Sequence, residues 1–329
     1  MNREKLSNTL RKNMMAIILV LMIIVLSFVA PGFFSVNNWL SILRSMAIIG
    51  VAAFGMTMVI IGGEIDLSVG STIGFSAVVT ARVAKETQGA IGPDLGIILG
   101  MVTAVVLCAI FGLFNGWVRV KFGIPTFIIT LAMQNVLYGL AAILSGGFPI
   151  TISAQWFNVI GAGRILRFGS FTGLPVASIW LVLAFLAVYV VMHKMRFGRE
   201  VYAVGGNQES ARLSGVNVKR TKIIIMMVSQ ITAALSGIIM ASQVLSGSPQ
   251  FGKAYETNVI SAVIIGGVPL SGGLGKTSQT FLGIIFLGVI LNGMTLLGVD
   301  DYVKYVVRGA LILMAVILNT IQMQRSRKA

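Results

Sequence analysis

Charged residues are scarce in this chain, and acidic residues are the scarcest of them. Only 11% of the 329 residues are charged, with 10 acidic residues against 25 basic ones, whereas soluble domains typically carry about 25% charged residues. Hydrophobic residues make up 56% of the chain and the mean hydropathy is +0.93. Apolar runs recur along the whole length and leave no room for a sizeable soluble domain. The composition therefore predicts one multi-pass membrane domain.

Cysteine and histidine each occur once, which limits the possible chemistry. Cys108 lies inside an apolar run, so no disulfide can form within the chain and a cysteine metal cluster is implausible. His193 stands at the end of an apolar stretch, where we expect interfacial anchoring rather than catalysis. We expect no catalytic residue, no bound cofactor and no metal in this chain.

The stretch SGGLGKTSQT, residues 271–280, contains Gly-Lys-Thr, the end of a phosphate-binding loop. Such a loop needs a glycine separated by four residues from Gly-Lys-Thr, because its backbone wraps the phosphates. That position holds Leu270, so the motif fails by its own spacing. We predict a glycine-rich turn instead, at the cytoplasmic end of a membrane segment.

Ten stretches are apolar enough to be predicted as membrane segments of an all-α fold, given a hydrocarbon layer of about 30 Å. The first exceeds the apolar core of a signal peptide, so we interpret it as a retained helix. Two segments, 69–84 and 259–271, are short and rich in Gly and Ser, and such helices tend to line substrate routes. The other segments are 14–33, 45–63, 95–118, 124–146, 175–192, 223–245, 279–298 and 302–321.

The basic residues predict the orientation of these segments. If residues 1–13 and 322–329 are cytoplasmic tails flanking a transmembrane domain of residues 14–321, most Lys and Arg residues fall in inside segments, as the positive-inside rule requires. Attraction to anionic lipid at the inner leaflet is then enough to explain the net charge of +15. No nucleic-acid partner is needed.

Two similar stretches suggest an internal echo. VIIGGEIDLSVG (residues 59–70) and VIIGGVPLSGG (residues 263–273) share five identical residues and then Leu-Ser-x-Gly. Apolar, glycine-rich sequences also repeat by chance. The echo is therefore compatible with a duplication or with coincidence.

Glu64 and Asp66 are the only acids between residues 5 and 85, and they lie at the junction of two segments. A charge at the bilayer centre costs about 2.5–3.5 kcal/mol on insertion scales, so such residues face a cavity, a partner or water. Asp66 is expected to cap the next helix, with substrate contact or proton relay as the alternatives. A glycosidase-like carboxylate pair is disfavoured because nothing else resembles a soluble enzyme cleft.

Neutral polar residues inside the segments have two possible roles. They can form interhelical hydrogen bonds or supply the donors and acceptors that sugar hydroxyls need. Gln134 and Asn135 are adjacent and point about 100° apart on a helix, so both cannot face one pore squarely. The candidate residues of a translocation pathway are Asp66, Ser68, Gln134, Asn135 and Asn292.

The basic loop 193–222 predicts a short helix. Gly205-Gly206 supplies a turn, Asn207 is a good N-cap and Gly215 provides a C-terminal stop. The helix between them has about seven residues and is too short to be stable alone, so it must dock on something. A membrane protein would present such a helix to a cytosolic motor.

The sequence resembles the permease subunits of bacterial ABC importers for monosaccharides such as ribose, xylose and galactose. The resemblance covers nearly the whole chain. It is carried by GGEIDLSVGS (62–71), GIPTFIITLAM (123–133), GREVYAVGGNQESARLSGVNVKRTK (198–222), YETNVISAVIIGGVPLSGGLGK (255–276) and LLGVDDYVKYVVRGALILMAV (296–316).

The resemblance implies a ten-helix permease of the inner membrane that works by alternating access. It implies a pair of permeases, identical or different, two copies of a cytosolic ATPase that binds ATP and Mg²⁺, and an extracytoplasmic sugar-binding protein. That protein would dock on outer loops including 146–174 and 246–258. The resemblance also implies that the ATPase is contacted by a coupling helix around Gly205, Gly206, Asn207, Glu209, Arg212 and Gly215.

Two alternatives remain at the level of sequence. The first is a permease of the same type for another solute, such as a nucleoside, an autoinducer or a branched-chain amino acid. The second is a secondary transporter driven by an ion gradient, with Glu64 and Asp66 as candidate ion sites. A membrane enzyme is disfavoured because the chain lacks a nucleophile, a base and a metal cluster.

Overall fold

The computed structural model describes residues 14–169 and 171–328, and helices dominate this part of the chain. The helices are α1 (Met14–Val29), α2 (Val36–Ile61), α3 (Val69–Ile91), α4 (Pro93–Phe122), α5 (Thr126–Ser145), α6 (Asn158–Ala162), α7 (Val176–Lys194), α8 (Arg196–Gly206), α9 (Gln208–Leu213), α10 (Val218–Val244), α11 (Tyr255–Ile265), α12 (Thr277–Leu296) and α13 (Asp301–Lys328). A 3₁₀ turn covers Gln155–Phe157, and short strands cover Ile150–Thr151 (β1), Arg164–Ile165 (β2), Leu174–Pro175 (β3) and Ser246–Gly247 (β4).

The all-helical membrane fold is confirmed. Each of the ten predicted segments overlaps a helix, namely α1 to α5, α7 and α10 to α13. Six of these are long and apolar enough to cross a membrane, namely α2, α4, α5, α7, α10 and α12. The number of ten crossings and the side of the termini stay predictions. The predicted tail 1–13 lies outside the described residues, whereas residues 322–328 continue α13.

The two segments predicted to be short differ from expectation. Helix α3 has 23 residues and continues past residue 84 to Ile91, because Arg82 and Glu86 form an ion pair of 2.6 Å one turn apart and stabilise the helix beyond its apolar part. Helix α11 is short, with 11 residues, but it ends at Ile265. Residues 266–271 form turns because Gly267 adopts φ +101°.

Local signals explain where the long helix α4 begins and ends. Pro93 occupies its first turn, where the missing N–H is not needed, and Asp94 stands near the positive end of the helix dipole. Arg119 and Lys121 lie in the last turn. Gly123 stops the helix with φ +71°, a left-handed conformation that favours glycine.

Helices α2 and α10 form the centre of the molecule, and small residues let their neighbours approach closely. A Cβ on Gly55 of α2 would lie 2.0 Å from Thr232 Oγ1 of α10. A Cβ on Gly112 or Gly116 of α4 would lie 2.6 Å from the α10 backbone. Such close contact of small residues is the usual way that membrane helices pack.

A cap of short elements, formed by residues 146–169 and 171–175, covers one end of α10. Strand β1 pairs with β4 and β2 pairs with β3, both antiparallel. The Gly161 N–H donates to Ser242 Oγ at 2.8 Å, and Asn158 Nδ2 donates to the Ser242 carbonyl oxygen at 2.9 Å. Trp156 Nε1 donates to Asp94 at 2.8 Å and ties the cap to the start of α4.

The chain between α10 and α11 runs down alongside α3 instead of crossing over its end. Gly247 packs against Ala77 of α3, and Gly252 packs against Gly70, which lies about 10 Å further down that helix. Left-handed residues flank the segment, with φ +49° at Leu245 and +62° at Ala254. Helix α11 therefore begins level with the first turn of α3, partway through the domain.

Candidate functional site

Asp66 is fully buried in a network of neutral donors. One carboxylate oxygen accepts hydrogen bonds from the Ser68 N–H at 3.0 Å and the Ser68 hydroxyl at 2.6 Å. The other accepts from Ser229 Oγ and Gln230 Nε2 of α10, both at 2.8 Å. Among the described residues no Lys or Arg forms an ion pair with Asp66. The buried carboxylate is thus stabilised by dipoles, and it ties the loop 62–68 to α10.

The expected capping of α3 by Asp66 is only partly realised. The carboxylate binds the N–H of Ser68, which precedes the first helical residue, and the N-cap itself is Ser68, whose side chain makes no capping bond. Ser68 also accepts from Gln230 Nε2 at 2.8 Å. The carboxylate is used across helices, because α10 lies close enough to compete for it.

Glu64 forms a second buried cluster with two basic side chains. One carboxylate oxygen lies 2.5 Å from Lys222 Nζ of α10 and 2.9 Å from Arg119 Nε of α4. The other accepts from the hydroxyl of Thr126, at the start of α5. The side chains of Glu64 and Lys222 are each only 5% exposed. With two cations on one carboxylate, Glu64 joins four elements and is a poor candidate for an ion site.

Helix α5 carries a polar stripe, here meaning four residues spaced four apart on one face: Thr126, Thr130, Gln134 and Tyr138. The stripe extends over about 18 Å of the helix. Its contacts are Thr126 to Glu64, Thr130 Oγ1 to the Leu67 N–H at 3.0 Å, Gln134 to Glu256, and Tyr138 to Gln250 Nε2 at 3.0 Å. The stripe therefore faces the loop 62–68, the segment 246–254 and the start of α11.

A cavity of about 330 Å³ lies along this stripe. Its walls come from α5, the first turn of α3, the segment 246–254 and the first turn of α11. The polar side chains in its lining are Ser71, Gln134, Asn135, Tyr138, Lys253 and Glu256. Gln134 and Asn135 both line this cavity, although they point in different directions from α5. The expectation that both cannot face one pore squarely therefore does not exclude either of them from the lining.

The other predicted pathway residues lie elsewhere. Asp66 and Ser68 are buried in the network described above and do not line this cavity. Asn292 of α12 exchanges two hydrogen bonds of 2.9 Å with Asn38 of α2, the interhelical role considered as the alternative. Sequence reasoning missed Glu256 and Tyr138. The four-residue spacing of polar side chains along α5 is the signal that could have found Tyr138.

The predicted short helix of the loop 193–222 is present as α9, with six residues. Asn207 Oδ1 accepts from the Ser210 N–H at 2.9 Å, and Gly215 follows the helix with φ +80°. Glu209 and Arg212 form an exposed pair, and the hydrogen bonds and charge of the Arg212 guanidinium hold the pKa of the Glu209 carboxyl below its ordinary value. The predicted N-cap at Asn207 and the predicted C-terminal stop at Gly215 are thus confirmed.

The prediction of a turn at Gly205-Gly206 is wrong, because these residues end the helix α8. A Cβ on Gly205 would lie 1.8 Å from the carbonyl oxygen of Ile61 and 2.6 Å from the Gly273 nitrogen. The Tyr202 hydroxyl donates to the Gly275 carbonyl oxygen at 2.8 Å. Gly205 is needed for this close contact between backbones, whereas a Cβ on Gly206 would find its nearest atom, in Gly273, 4.0 Å away. Helix α8 therefore packs on the end of α2 and on the SGGLGK turn.

The internal echo corresponds to one helix-ending motif used twice. The N–H groups of Gly63 and Glu64 donate to Ile60 and Val59 at 2.9 and 3.0 Å. The equivalent bonds after α11 run from Gly267 to Ile264 at 2.9 Å and from Val268 to Val263 at 3.2 Å. Both glycines have positive φ, as in a Schellman motif. The shared sequence therefore has a local structural reason.

Comparison with known proteins identifies the family. A family model described as "Branched-chain amino acid transport system / permease component" matches residues 38–316. The ribose import permease protein RbsC of Bacillus subtilis is 40% identical over 92% of this chain and 90% of its own length. RbsC of Escherichia coli K12 is 35% identical over 92% of both chains. The L-arabinose transport system permease protein AraH of E. coli K12 is 39% identical over 95% of this chain and 92% of its own.

The resemblance to monosaccharide permeases is thereby confirmed. No solved structure matches the chain significantly. The family match covers most of the helical domain, including the Asp66 network, the cavity and α9. This chain therefore belongs to the family of membrane permeases described as the permease component of branched-chain amino acid transport systems.

Proposed function

We propose that this protein is the permease subunit of an ATP-driven importer that carries a monosaccharide, a pentose or a hexose, across the cytoplasmic membrane by alternating access. The observation that carries the proposal is the full-length similarity to proteins named as ribose and arabinose permeases, at 35–40% identity. The cavity supports a sugar, because its side chains offer both donors and acceptors of hydrogen bonds. The protein is a multi-pass protein of the inner membrane.

The energy comes from ATP bound with Mg²⁺ to a separate cytosolic ATPase. Position 270 of this chain is Leu, so the SGGLGK turn does not meet the spacing of a phosphate-binding loop. Helix α9 is the coupling helix, and its exposed Glu209–Arg212 pair and Leu213 are available to the ATPase. Two permeases, identical or different, pair over two ATPase subunits.

The chain crosses the membrane ten times, with the short helix α11 completing its crossing together with the extended segment 246–254, and both termini lie in the cytoplasm. This arrangement places α9, the Glu64 cluster and the SGGLGK turn on the cytoplasmic side and the cap of residues 146–175 outside. The extracytoplasmic sugar-binding protein docks mainly on that cap, where Phe148 and Phe168 are 76% and 69% exposed. The segment 246–258 offers less surface, because Gly247, Ser248 and Asn258 are buried.

Reconstitution tests this proposal. The permease would be placed in vesicles with its ATPase and a sugar-loaded binding protein, and uptake of radiolabelled D-ribose, L-arabinose, D-xylose and D-galactose would be measured. Uptake of one of these sugars should need ATP and persist when an uncoupler collapses the ion gradients. Uptake that needs an ion gradient and not ATP would establish the secondary-transporter alternative. ATP-driven uptake of leucine without any sugar would refute the proposed substrate.

A further inference from the structure

We infer that the cavity along the polar stripe is a monosaccharide-binding site inside the permease itself, with Glu256, Gln134 and Asn135 binding the sugar hydroxyls. This inference rests on the proposed function and makes it more specific. It assigns the permease a contact with the solute during transport, in addition to the recognition performed by a separate binding protein.

The position of the cavity fits a site halfway along the path. Gln134 is the ninth of the 20 residues of α5 and lies about 12 Å from Thr126 at the start of the helix. Glu256 stands in the first turn of α11, which begins inside the domain after the extended segment 246–254. Discontinuous helices that start within the membrane commonly form substrate sites near its midplane.

The packing brings the groups of the cavity together from distant parts of the sequence. Glycine at position 70 allows the Glu256 side chain to lie against α3, since a Cβ there would be 2.1 Å from Oε2 of Glu256. Gln134 lies close to the same carboxylate, and both side chains line the cavity. Glu256 and α5 therefore face one space, and the Gln134 amide offers donor and acceptor capacity to a ligand there.

The chemistry of the lining favours a polyol. A carboxylate can accept hydrogen bonds from two neighbouring hydroxyls, while the amides of Gln134 and Asn135 both donate and accept. Tyr138 adds an aromatic ring with a hydroxyl, which suits a ligand that is apolar on one face and polar at its edge. The volume of about 330 Å³ lies at the small end of the range of about 300–1,000 Å³ for ligand pockets.

A zwitterionic amino acid is the competing ligand, because Lys253 and Glu256 could pair with its two charged ends. The remaining lining argues against it. Ser71, Gln134, Asn135 and Tyr138 supply four more polar groups, and a branched apolar side chain would leave their remaining hydrogen-bonding capacity unused. Several sugar hydroxyls would satisfy them.

Substrate protection of an introduced thiol gives the first test. The one native cysteine, Cys108, is fully buried, so Ser71→Cys would introduce a single reactive thiol in the cavity lining while Glu256, Gln134 and Asn135 stay in place. The purified permease–ATPase complex in lipid nanodiscs would be treated with a polar thiol reagent in the presence of the transported sugar or of leucine. We expect the sugar to slow the modification severalfold. The control is Glu86→Cys, near the end of α3 and outside the cavity, where the sugar should have no effect.

Equilibrium binding and uptake give the second test. Glu256→Gln keeps the shape of the side chain, and Gln134→Leu removes the amide. Each should weaken binding of the labelled sugar to the nanodisc complex by about tenfold, the effect of losing about one hydrogen bond to the ligand. Glu86→Gln is the matched acidic control and should bind like the wild type. Co-purification with the ATPase verifies that each variant folds. If Glu256→Gln does not assemble, Gln134→Leu and the protection experiment still decide.

The outcomes separate this inference from the proposed function. If the wild type imports the sugar with ATP but neither protection nor any loss of binding is seen, the cavity is not a sugar site and the proposed function stands. Protection by leucine and not by sugar would overturn the inferred ligand. If the wild type imports none of the four sugars, the proposed substrate fails before the cavity is considered.

Discussion

The backbone N–H of Gly273 donates a hydrogen bond of 2.8 Å to the carbonyl oxygen of Ile61, so the SGGLGK turn is fixed to the end of the central helix α2. Gly205, at the end of α8, packs against the same carbonyl group. Helix α8, which precedes α9, therefore meets α2 and the turn after α11 at one shared backbone group. If α9 is the coupling helix proposed above, its movement would reach α2 and α11 through this contact.

The first prediction concerns this contact. Gly205→Ala places a Cβ 1.8 Å from the Ile61 oxygen, so α8 must shift, at a cost of about 1–3 kcal/mol in stability. We expect a lower Tm in detergent and strongly reduced sugar uptake. The matched control is Gly206→Ala, where the nearest atom outside the helix is 4.0 Å away and the effect should be small. Equal behaviour of the two variants would contradict the close-contact role of Gly205.

The second prediction concerns the surface of α9, the proposed coupling helix. Arg212→Glu replaces an ion pair with like charges on α9 and changes the face offered to the ATPase. We expect sugar uptake to be abolished while the permease still reaches the membrane, and the ATPase to be lost on co-purification. Arg196→Glu makes the same change in charge at the exposed arginine of the Arg196–Glu200 pair on α8 and serves as the control. Normal uptake by the Arg212→Glu variant would count against coupling through α9.

The third prediction concerns the Glu64 cluster. Glu64→Gln removes the carboxylate that pairs with Lys222 and Arg119. Because this leaves the buried Lys222 ammonium without a counter-charge, we expect the fold to be destabilised by about 3–5 kcal/mol. Adding Lys222→Met removes one of the stranded charges and should restore part of the loss, as measured by thermal unfolding in detergent. Strictly additive effects of the two substitutions would show that the ion pair is not energetically coupled.

The fourth prediction distinguishes packing from transport at Asn292. Asn292→Ala and Asn38→Ala each remove one side of the interhelical pair, and a double-mutant cycle should give a coupling energy of about 0.6 kcal/mol. Uptake measured at equal amounts of protein should stay near the wild-type rate. A loss of uptake in Asn292→Ala but not in Asn38→Ala would instead support a role for Asn292 in the translocation pathway.

Local signals allowed α9 to be predicted from the sequence, whereas α8 was not predicted. A cap depends on a few adjacent residues, so Asn207 and Gly215 were readable without the rest of the fold. Helix α8 is held by contacts with α2 and with the SGGLGK turn, which lie far away in the sequence. The glycines at its end, Gly205 and Gly206, were interpreted as a turn because their close packing against Gly273 cannot be inferred from the sequence alone.

The candidate site was predictable only in part for the same reason. Gln134 and Asn135 stood out as amides in an apolar helix, but Glu256 belongs to the other end of the chain and joins them only because α11 begins inside the domain. Asp66 was recognised as an unusual buried acid. Its partner Gln230 in α10 could not be assigned, since side chains within reach across helices depend on how the helices pack.

The contacts of Gly205 and Gly273 join main-chain atoms, and no side chain takes part in them. If α9 is the coupling helix, transmission through this junction does not depend on the residues that α9 displays on its outer face, such as Gln208 and Leu213. Those surface positions could then differ to match different ATPases without altering the backbone contacts behind them. Partner choice and force transfer would be separate properties of one short stretch of chain.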